Sequence, residues 1–161
     1  MDKLDAYKMD GLGNDFIIFD KRKKSITLTK DQIIKVSSRK NVGCDQVIVI
    51  DQDKSSDAFL TFYNSDGGET SACGNGSRCL AYLLMKENNK EKTSLRTKVG
   101  ILHAELDNKN LVRINMGQPN FGWRKIPLSK EMDNKNLKIR INSIDGKEIE
   151  GGFSLSVGNP H

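Results

Sequence analysis

The segment best suited to chemistry is a glycine-rich loop that contains a cysteine and leads into an apolar stretch. It covers residues 63–79 and reads YNSDGGETSACGNGSRC. Unpaired N–H groups at a helix start carry partial positive charge, and Gly74 and Gly76 would let a ligand approach the backbone. The segment therefore predicts an anion pocket for a carboxylate or a phosphate. It is not a Walker loop, because no Lys-Ser/Thr pair follows the glycines.

The three cysteines have different predicted roles. Cys73 lies at the mouth of the predicted pocket, where a helix N-terminus lowers the pKa of a thiol, so it is predicted to act as a nucleophile or a base. The alternative for Cys73 is the usual one for a free cysteine, a small buried apolar residue, and this is the prediction for Cys44 and Cys79. No metal site is predicted, since Cys73 and Cys79 are six residues apart without a C-x-x-C or H-x-x-x-H partner.

Amide side chains recur beside glycines in three further segments. These are GLGNDF at 11–16, GCDQ at 43–46 and GNPH at 158–161. Each alone is typical of a turn. Together with Asn64 and Asn75, they would offer neutral hydrogen-bonding groups suited to a zwitterion that carries carboxylate and ammonium groups.

Two segments predict helices that would position these residues. The first runs from about Thr29 to Ser38, with Thr29 as the N-cap. The second runs from near Asn75 to about Lys86 and is broken by Asn88 and Asn89. Because the second is apolar all round, it is predicted to be buried.

The remaining apolar pattern predicts short strands. Residues 15–20, 46–50 and 58–63 form continuous apolar runs, which indicate strands buried on both faces. Residues 101–106, 111–116, 137–142 and 153–157 alternate as half-buried strands do, which places His103 and Glu105 on the solvent face. The predicted class is α+β: about eight to ten strands in a strongly curved antiparallel sheet, wrapped around the buried helix.

Composition limits the class of protein. The chain has 161 residues, 36% of them hydrophobic, which fits one domain over residues 1–161. No apolar run approaches the roughly 20 residues of a membrane span, and the start MDKLDAYKMDG lacks a signal-peptide core. The net charge of +5 comes from lysines spread along the chain rather than clustered with aromatics, so no nucleic-acid partner is expected. We expect a cytoplasmic protein.

Several motifs resemble one known family. GLGNDF, GCDQ, the 63–79 segment, NMGQP and VGNPH occur in the order seen in the N-terminal half of diaminopimelate epimerases, from residue 8 to residue 161. The resemblance implies a cofactor-independent isomerase that interconverts LL- and meso-2,6-diaminopimelate, for lysine and peptidoglycan synthesis. It also implies two similar halves, each a curved sheet around a central helix, which face each other across the active site.

The resemblance also assigns roles to individual residues. The family uses two cysteines, one from each half, and Cys73 matches the first. His161 matches a histidine with a supporting role. Implied substrate contacts are the side chains of Asn14, Gln46, Asn64 and Asn159 and the backbone N–H groups of Gly74 and Asn75. The second cysteine belongs to the other half.

Inverting a stereocentre requires one acid/base group on each face of the carbon. Cys44 and Cys79 are not predicted to oppose Cys73, so we expect the N-terminal half of an epimerase that is inactive alone. Its partly apolar face around Cys73 would favour self-association. Two alternatives stay open: a non-catalytic amino-acid-binding or remnant module of the same ancestry, and a related isomerase of the proline racemase or PhzF kind.

Overall fold

A computed structural model describes residues 4–107 and 111–161. The chain divides into two compact units between Met116 and Gly117. The elements of the first unit, in chain order, are β1 (Tyr7–Gly11), β2 (Asn14–Asp20), α1 (Lys30–Ser37), β3 (Gln46–Asp51), β4 (Ala58–Asn64), β5 (Glu69–Thr70), α2 (Gly74–Asn88), β6 (Lys92–Thr97), β7 (Gly100–Leu106) and β8 (Val112–Asn115). The second unit contains β9 (Arg140–Asn142) and β10 (Glu148–Glu150).

The first unit is built on one mixed sheet. Its strand order is β1-β2-β3-β4-β6-β7-β8, and β5 pairs with β4 beside this path. The pairs β2–β3 and β4–β6 are parallel, whereas the other pairs are antiparallel. The prediction of an antiparallel sheet is therefore wrong for two pairs. The reason is that α1 and α2 carry the chain back across the sheet, and such a crossover joins parallel strands.

Helix α2 is the central element of this unit. It contacts strands from β1 at one edge of the sheet to β8 at the other, so the sheet curls around it. Leu80 and Leu84 of the helix are buried in one core cluster with Phe16 and Ile48 of the sheet. The predicted α+β class, with a curved sheet around a central helix, is confirmed.

The surface of α2 is not buried all round. Tyr82 is 39% exposed, and Lys86 and Glu87 also face solvent. The prediction of complete burial is wrong here, because the sheet surrounds only part of the helix circumference. The predicted end of the helix is confirmed: Asn89 is the C-cap and has left-handed backbone angles, with φ of 50°.

Helix α1 covers the opposite face of the sheet. Thr29 caps it: Thr29 Oγ1 accepts from the N–H of Gln32 at 3.3 Å, and Gln32 Oε1 accepts from the N–H of Thr29 at 2.8 Å. Ile33 packs in a second cluster with Ile17 and Val47. Strands β2 and β3 are thus covered on both sides, which explains their continuous apolar runs.

Strand β4 departs from that pattern. It is fully buried only at alternate residues, Ala58, Leu60 and Phe62, which face α2. Two-sided burial was therefore a wrong prediction for residues 58–63. In β7, Leu102 and Ala104 are buried while His103 and Glu105 are exposed, as predicted.

The second unit has little regular structure. Strands β9 and β10 form an antiparallel pair, so the strand predicted over residues 137–142 is confirmed only for its last three. Residues 153–157 contain only isolated bridges at Ser156, which corrects the strand predicted there. Ser154 and Ser156 are buried while Phe153 is 52% exposed. Alternation indicates which residues share a face, but only a packed neighbour decides which face is buried.

Within residues 4–107 and 111–161, neither helix has the length and hydropathy needed to cross a membrane.

Candidate active site around Cys73

Three of the predicted site residues lie at one edge of the main sheet, the edge formed by the ends of the strands rather than by β1 or β8. Strands β2 and β3 are parallel and begin at Asn14 and Gln46, and β4 runs the opposite way and ends at Asn64. The two strand starts and the strand end therefore meet at the same edge. The sequence could not show this, because it depends on which strands are parallel.

The three amides also share a face of the sheet. Each lies two residues from a core side chain, and side chains two apart point the same way. Those core side chains are next to the start of α2: a Cβ on Gly76 would lie 2.8 Å from Ile48 Cδ1, 3.2 Å from Phe62 Cε1 and 3.3 Å from Phe16 Cε1. The amides are thus gathered on the helix side of the sheet, beside the N-terminus of α2.

Cys73 is the N-cap of α2 and is half-buried. Its Sγ accepts a hydrogen bond from the N–H of Gly76 at 3.4 Å. The thiol donates to Asn14 Oδ1 at an Sγ–Oδ1 distance of 3.8 Å. The structure therefore brings together Cys73 and Asn14, which are far apart in the sequence.

Burial raises the pKa of the Cys73 thiol. The N–H groups of Gly76 and Asn75 and the charge of Arg78 act in the opposite direction, but they do not outweigh the loss of water around the sulfur. The predicted lowering of this pKa is therefore wrong. At neutral pH the resting group is the thiol, which is the form that donates a proton.

The other two cysteines are buried, as predicted. Cys44 is 2% exposed and its thiol donates to Ser37 Oγ at 3.6 Å. Cys79 is 6% exposed, and burial raises the pKa of its thiol. Neither can present a second acid/base group to a ligand.

Gln46 and Asn64 form a pair across β3 and β4. Gln46 Nε2 donates to Asn64 Oδ1 at 2.9 Å, and the two residues are directly opposite in the strand register. Gln46 Oε1 is buried and has no hydrogen-bond partner in the described part of the chain. A buried acceptor left in this state is costly, so this oxygen is suited to a donor from a ligand.

The first turn of α2 can bind an anion through its backbone. The N–H groups of Gly74 and Asn75 precede the regular helical hydrogen bonds. The nearest atom to a Cβ placed on Gly74 would be Met116 Sδ, 3.7 Å away. A ligand can therefore approach the backbone of Gly74. The side chain of Asn75 is occupied, because its Oδ1 accepts from Arg78.

An ion-pair network beside the site was missed by sequence reasoning. Arg39 binds both carboxylate oxygens of Asp15, at 2.6 and 2.8 Å, and also Asp45 Oδ1 at 2.6 Å. Lys8 pairs with Asp15 at 2.6 Å. The Arg39 guanidinium holds the pKa of Asp15 well below its usual range. The available signal was an aspartate next to an amide in both GLGNDF and GCDQ.

Asn159 and His161 belong to the second unit. His161 Nε2 lies 3.2 Å from Asn159 Oδ1, and the backbone of His161 pairs in both directions with Leu155, at 2.9 and 3.1 Å. Asn159 is half-buried and His161 is exposed. Their part in a shared site stays a prediction from the resemblance.

Two other features are distinct from this site. No group of three or more His, Cys, Asp or Glu that could hold a metal ion occurs among residues 4–107 and 111–161. A pocket of about 560 Å³ is lined by Asp57, Ser94 and His103 among others. Asp57 precedes β4, so this pocket is at the end of that strand opposite Asn64.

The motifs of this chain resemble those of diaminopimelate epimerases, and comparison with known proteins tests whether the chain belongs to that family. The family profile described as diaminopimelate epimerase matches residues 6–122. The chain belongs to the diaminopimelate epimerase family. It is 48% identical over 156 residues to the diaminopimelate epimerase of Pelagibacter ubique (strain HTCC1062), which covers 97% of this chain and 57% of that protein. It is 39% identical to the one of Caulobacter sp. (strain K31), over 96% of this chain and 56% of that protein.

The chain thus spans about half the length of these curated epimerase relatives. Solved structures with the same fold include a hydroxyproline epimerase from Agrobacterium vitis, with a TM-score of 0.59 and 13% identity over 96% of this chain and 49% of that chain. A PhzF-family protein from Bacillus anthracis has a TM-score of 0.53 and 20% sequence identity, over 71% of this chain and 40% of that chain. At such low identity these neighbours show only that this epimerase-family chain shares their fold.

Proposed function

We propose that this chain forms one half of an epimerase that inverts one α-carbon of 2,6-diaminopimelate, with Cys73 as the acid/base group on one face. The observation that carries the proposal is the position of Cys73: half-buried at the start of α2, with Asn14 Oδ1 at 3.8 Å and the Gly76 N–H at 3.4 Å. The Pelagibacter ubique relative is named a diaminopimelate epimerase.

The reaction removes one proton from the α-carbon and adds another to the same carbon without any change of oxidation state, so its balance requires no cofactor. One group removes the α-proton, and the electron pair of the broken C–H bond is delocalised into the adjacent carboxylate. A second group on the opposite face then donates a proton to the same carbon. Because the resting Cys73 is a thiol, it supplies that proton and becomes a thiolate; the reverse reaction returns it to the thiol.

The start of α2 would stabilise the charge that develops on the carboxylate. The N–H groups of Gly74 and Asn75 are fixed donors, and such donors act strongly in a site with little water. Gln46 Oε1 would accept from a substrate ammonium group, and Asn14 and Asn64 would complete the cradle. By the family resemblance, Asn159 is proposed as a further substrate contact and His161 as a supporting group.

The second acid/base group would come from outside these 161 residues. Both remaining cysteines are buried, so the chain alone should not epimerise its substrate. The whole enzyme would act in the cytoplasm, where thiols stay reduced, and would serve lysine biosynthesis.

A chimera tests this proposal. The chain is joined to the remaining part of the Pelagibacter ubique relative, and LL-to-meso conversion and uptake of deuterium from D₂O at the α-carbon are measured. The chimera should be active and the chain alone inactive. Cys73→Ala should lower the chimera's rate by roughly a hundredfold to ten-thousandfold.

Cys44→Ala is the matched control, because it removes a buried thiol away from the predicted ligand, and its activity should persist. An active Cys73→Ala chimera would contradict the proposal. Binding of diaminopimelate without any exchange would instead indicate a non-catalytic binding module.

A further inference from the structure

The amide of Asn14 lies between a carboxylate and the Cys73 thiol. Its Nδ2 donates to Asp45 Oδ2 at 2.9 Å, while its Oδ1 is 3.8 Å from Cys73 Sγ. An ionised carboxylate can only accept hydrogen bonds. The amide nitrogen must therefore face Asp45, and the carbonyl oxygen must face the sulfur.

Asp45 is held in place independently of Asn14. Its Oδ1 accepts from Arg39 at 2.6 Å, and its Oδ2 also accepts from the N–H of Asp15 at 3.1 Å. The backbone N–H of Asp45 donates to Asp15 Oδ1 at 2.8 Å. These reciprocal bonds join the start of β2 to the residue before β3, so the carboxylate presents a fixed oxygen to Asn14.

We propose that Asp45 is a positioning residue that fixes the orientation of the Asn14 amide, so that Asn14 stabilises the Cys73 thiol rather than the thiolate. A carbonyl oxygen accepts the S–H hydrogen bond but repels a negative sulfur, so it favours the protonated form. The consequence for catalysis, that Cys73 is the proton donor of the resting site, rests on the proposed function. The positioning itself does not.

Other groups around the sulfur do not explain such an effect of Asp45. Arg78 on α2 acts on the Cys73 sulfur through its charge, and Cys79 on the same helix interacts electrostatically with Cys73 and with Asp10 of β1. A substitution at Asp45 changes none of these groups. The Asp45 side chain is 42% exposed, so its direct field at the sulfur is screened by water. The route through Asn14 consists of two hydrogen bonds.

The test is the pH dependence of Cys73 alkylation by iodoacetamide in the 161-residue chain, followed by mass spectrometry of the Cys73 peptide. In Asp45→Asn the amide at 14 is free to turn and donate to the thiolate. The pH midpoint of Cys73 alkylation should be lower than in the unmodified chain. At pH values below that midpoint, alkylation should be roughly three- to tenfold faster than in the unmodified chain.

The matched control is Asp51→Asn, at the other end of β3 and roughly 20 Å along the strand. The Asp51 side chain is 41% exposed and pairs with Lys21, so the variant removes the same charge at similar exposure. Its midpoint should match that of the unmodified chain. An unchanged or higher midpoint in Asp45→Asn would overturn the proposal.

A double-mutant cycle separates positioning from direct charge effects. In an Asn14→Ala background, Asp45→Asn should leave the midpoint where Asn14→Ala alone puts it. A shift that persists there would mean that Asp45 acts through its charge, and the proposal would be wrong. Circular dichroism should show that each variant is folded.

A measurement on the unmodified chain does not depend on the variants. In NMR spectra, the Asn14 side-chain NH₂ resonances should move when carboxylates are protonated in acid. If they instead follow only the ionisation of Cys73, the nitrogen faces the sulfur and the proposal fails. None of these experiments uses substrate, so an inactive chimera with these results intact would contradict the proposed function alone.

Discussion

At the residue scale, two opposing influences act on Cys73. The N–H groups at the start of α2 favour the thiolate, whereas burial favours the thiol and has the larger effect. Asn14 accepts from the thiol and so acts in the same direction as burial. The site therefore holds a protonated sulfur next to donors that suit a carboxylate, which is the arrangement that the proposed function requires.

This balance predicts the reactivity of the three thiols. Cys73 should be alkylated by iodoacetamide before Cys44 and Cys79, because those two are only 2% and 6% exposed. Since its pKa is raised, Cys73 should react more slowly than a free cysteine at neutral pH and accelerate as the pH rises.

Peptide mass spectrometry after timed exposure measures this order of reaction. Cys73→Ser should leave almost no fast-reacting thiol in the folded chain. Equal modification of Cys44 or Cys79 under the same conditions would contradict the burial of these two thiols.

At the scale of elements, the site depends on how closely the start of α2 approaches the sheet. Gly76 lies against Phe16, Ile48 and Phe62, which are almost completely buried. This contact sets the height of the helix N-terminus above the edge where the amides lie. A side chain at Gly76 would have to displace one of these neighbours.

We expect Gly76→Ala to lower the free energy of unfolding by about 1–2 kcal/mol, because overpacking outweighs the better helix propensity of alanine. Gly74→Ala is the control: its Cβ would meet nothing closer than 3.7 Å, so its stability should be unchanged or slightly higher. Urea denaturation measures both. Equal stability of the two variants would mean that the close approach at Gly76 is not needed.

At the scale of the whole chain, exposed apolar residues lie next to the site. Leu12 is 88% exposed at the turn between β1 and β2, two residues before Asn14, and Val42 is 66% exposed in the loop before Asp45. Leu12 also has a φ of 59°, an uncommon value for leucine. Exposed apolar residues that lie close together are typical of an interaction surface.

The chain should therefore self-associate through this edge. Sedimentation velocity should show a weight-average mass that rises with concentration. Leu12→Asn should reduce the association, and it should not harm folding, since asparagine tolerates positive φ. Leu4→Asn, which lies before the start of β1 and is 37% exposed, is the control and should associate like the unmodified chain. A sharp monomer at high concentration would contradict the prediction.

Local features were predictable from the sequence. The N-cap at Thr29, the end of α2 near Asn89 and the strands β2, β3, β4, β7 and β8 follow from capping residues and periodicity, which operate over a few residues. Strands β1, β5 and β6 were not predicted. Burial of Cys79 followed from its place on the apolar side of α2, and that of Cys44 from the usual burial of a free cysteine. In the second unit the same reasoning failed at residues 153–157, where no regular partner strand selects the buried face.

The sequence by itself determined where α2 begins, that Cys73 stands at that point, and that amide residues occur beside the turns. Only the tertiary structure decided that two strand pairs are parallel, that Asn14, Gln46 and Asn64 meet at one edge, and that Arg39 fixes Asp45. It also decided the direction of the Cys73 pKa shift. The physical reason is the separation in sequence over which each effect acts. Caps and periodicity act within a turn or two, whereas desolvation and ion pairing depend on residues far apart in the chain.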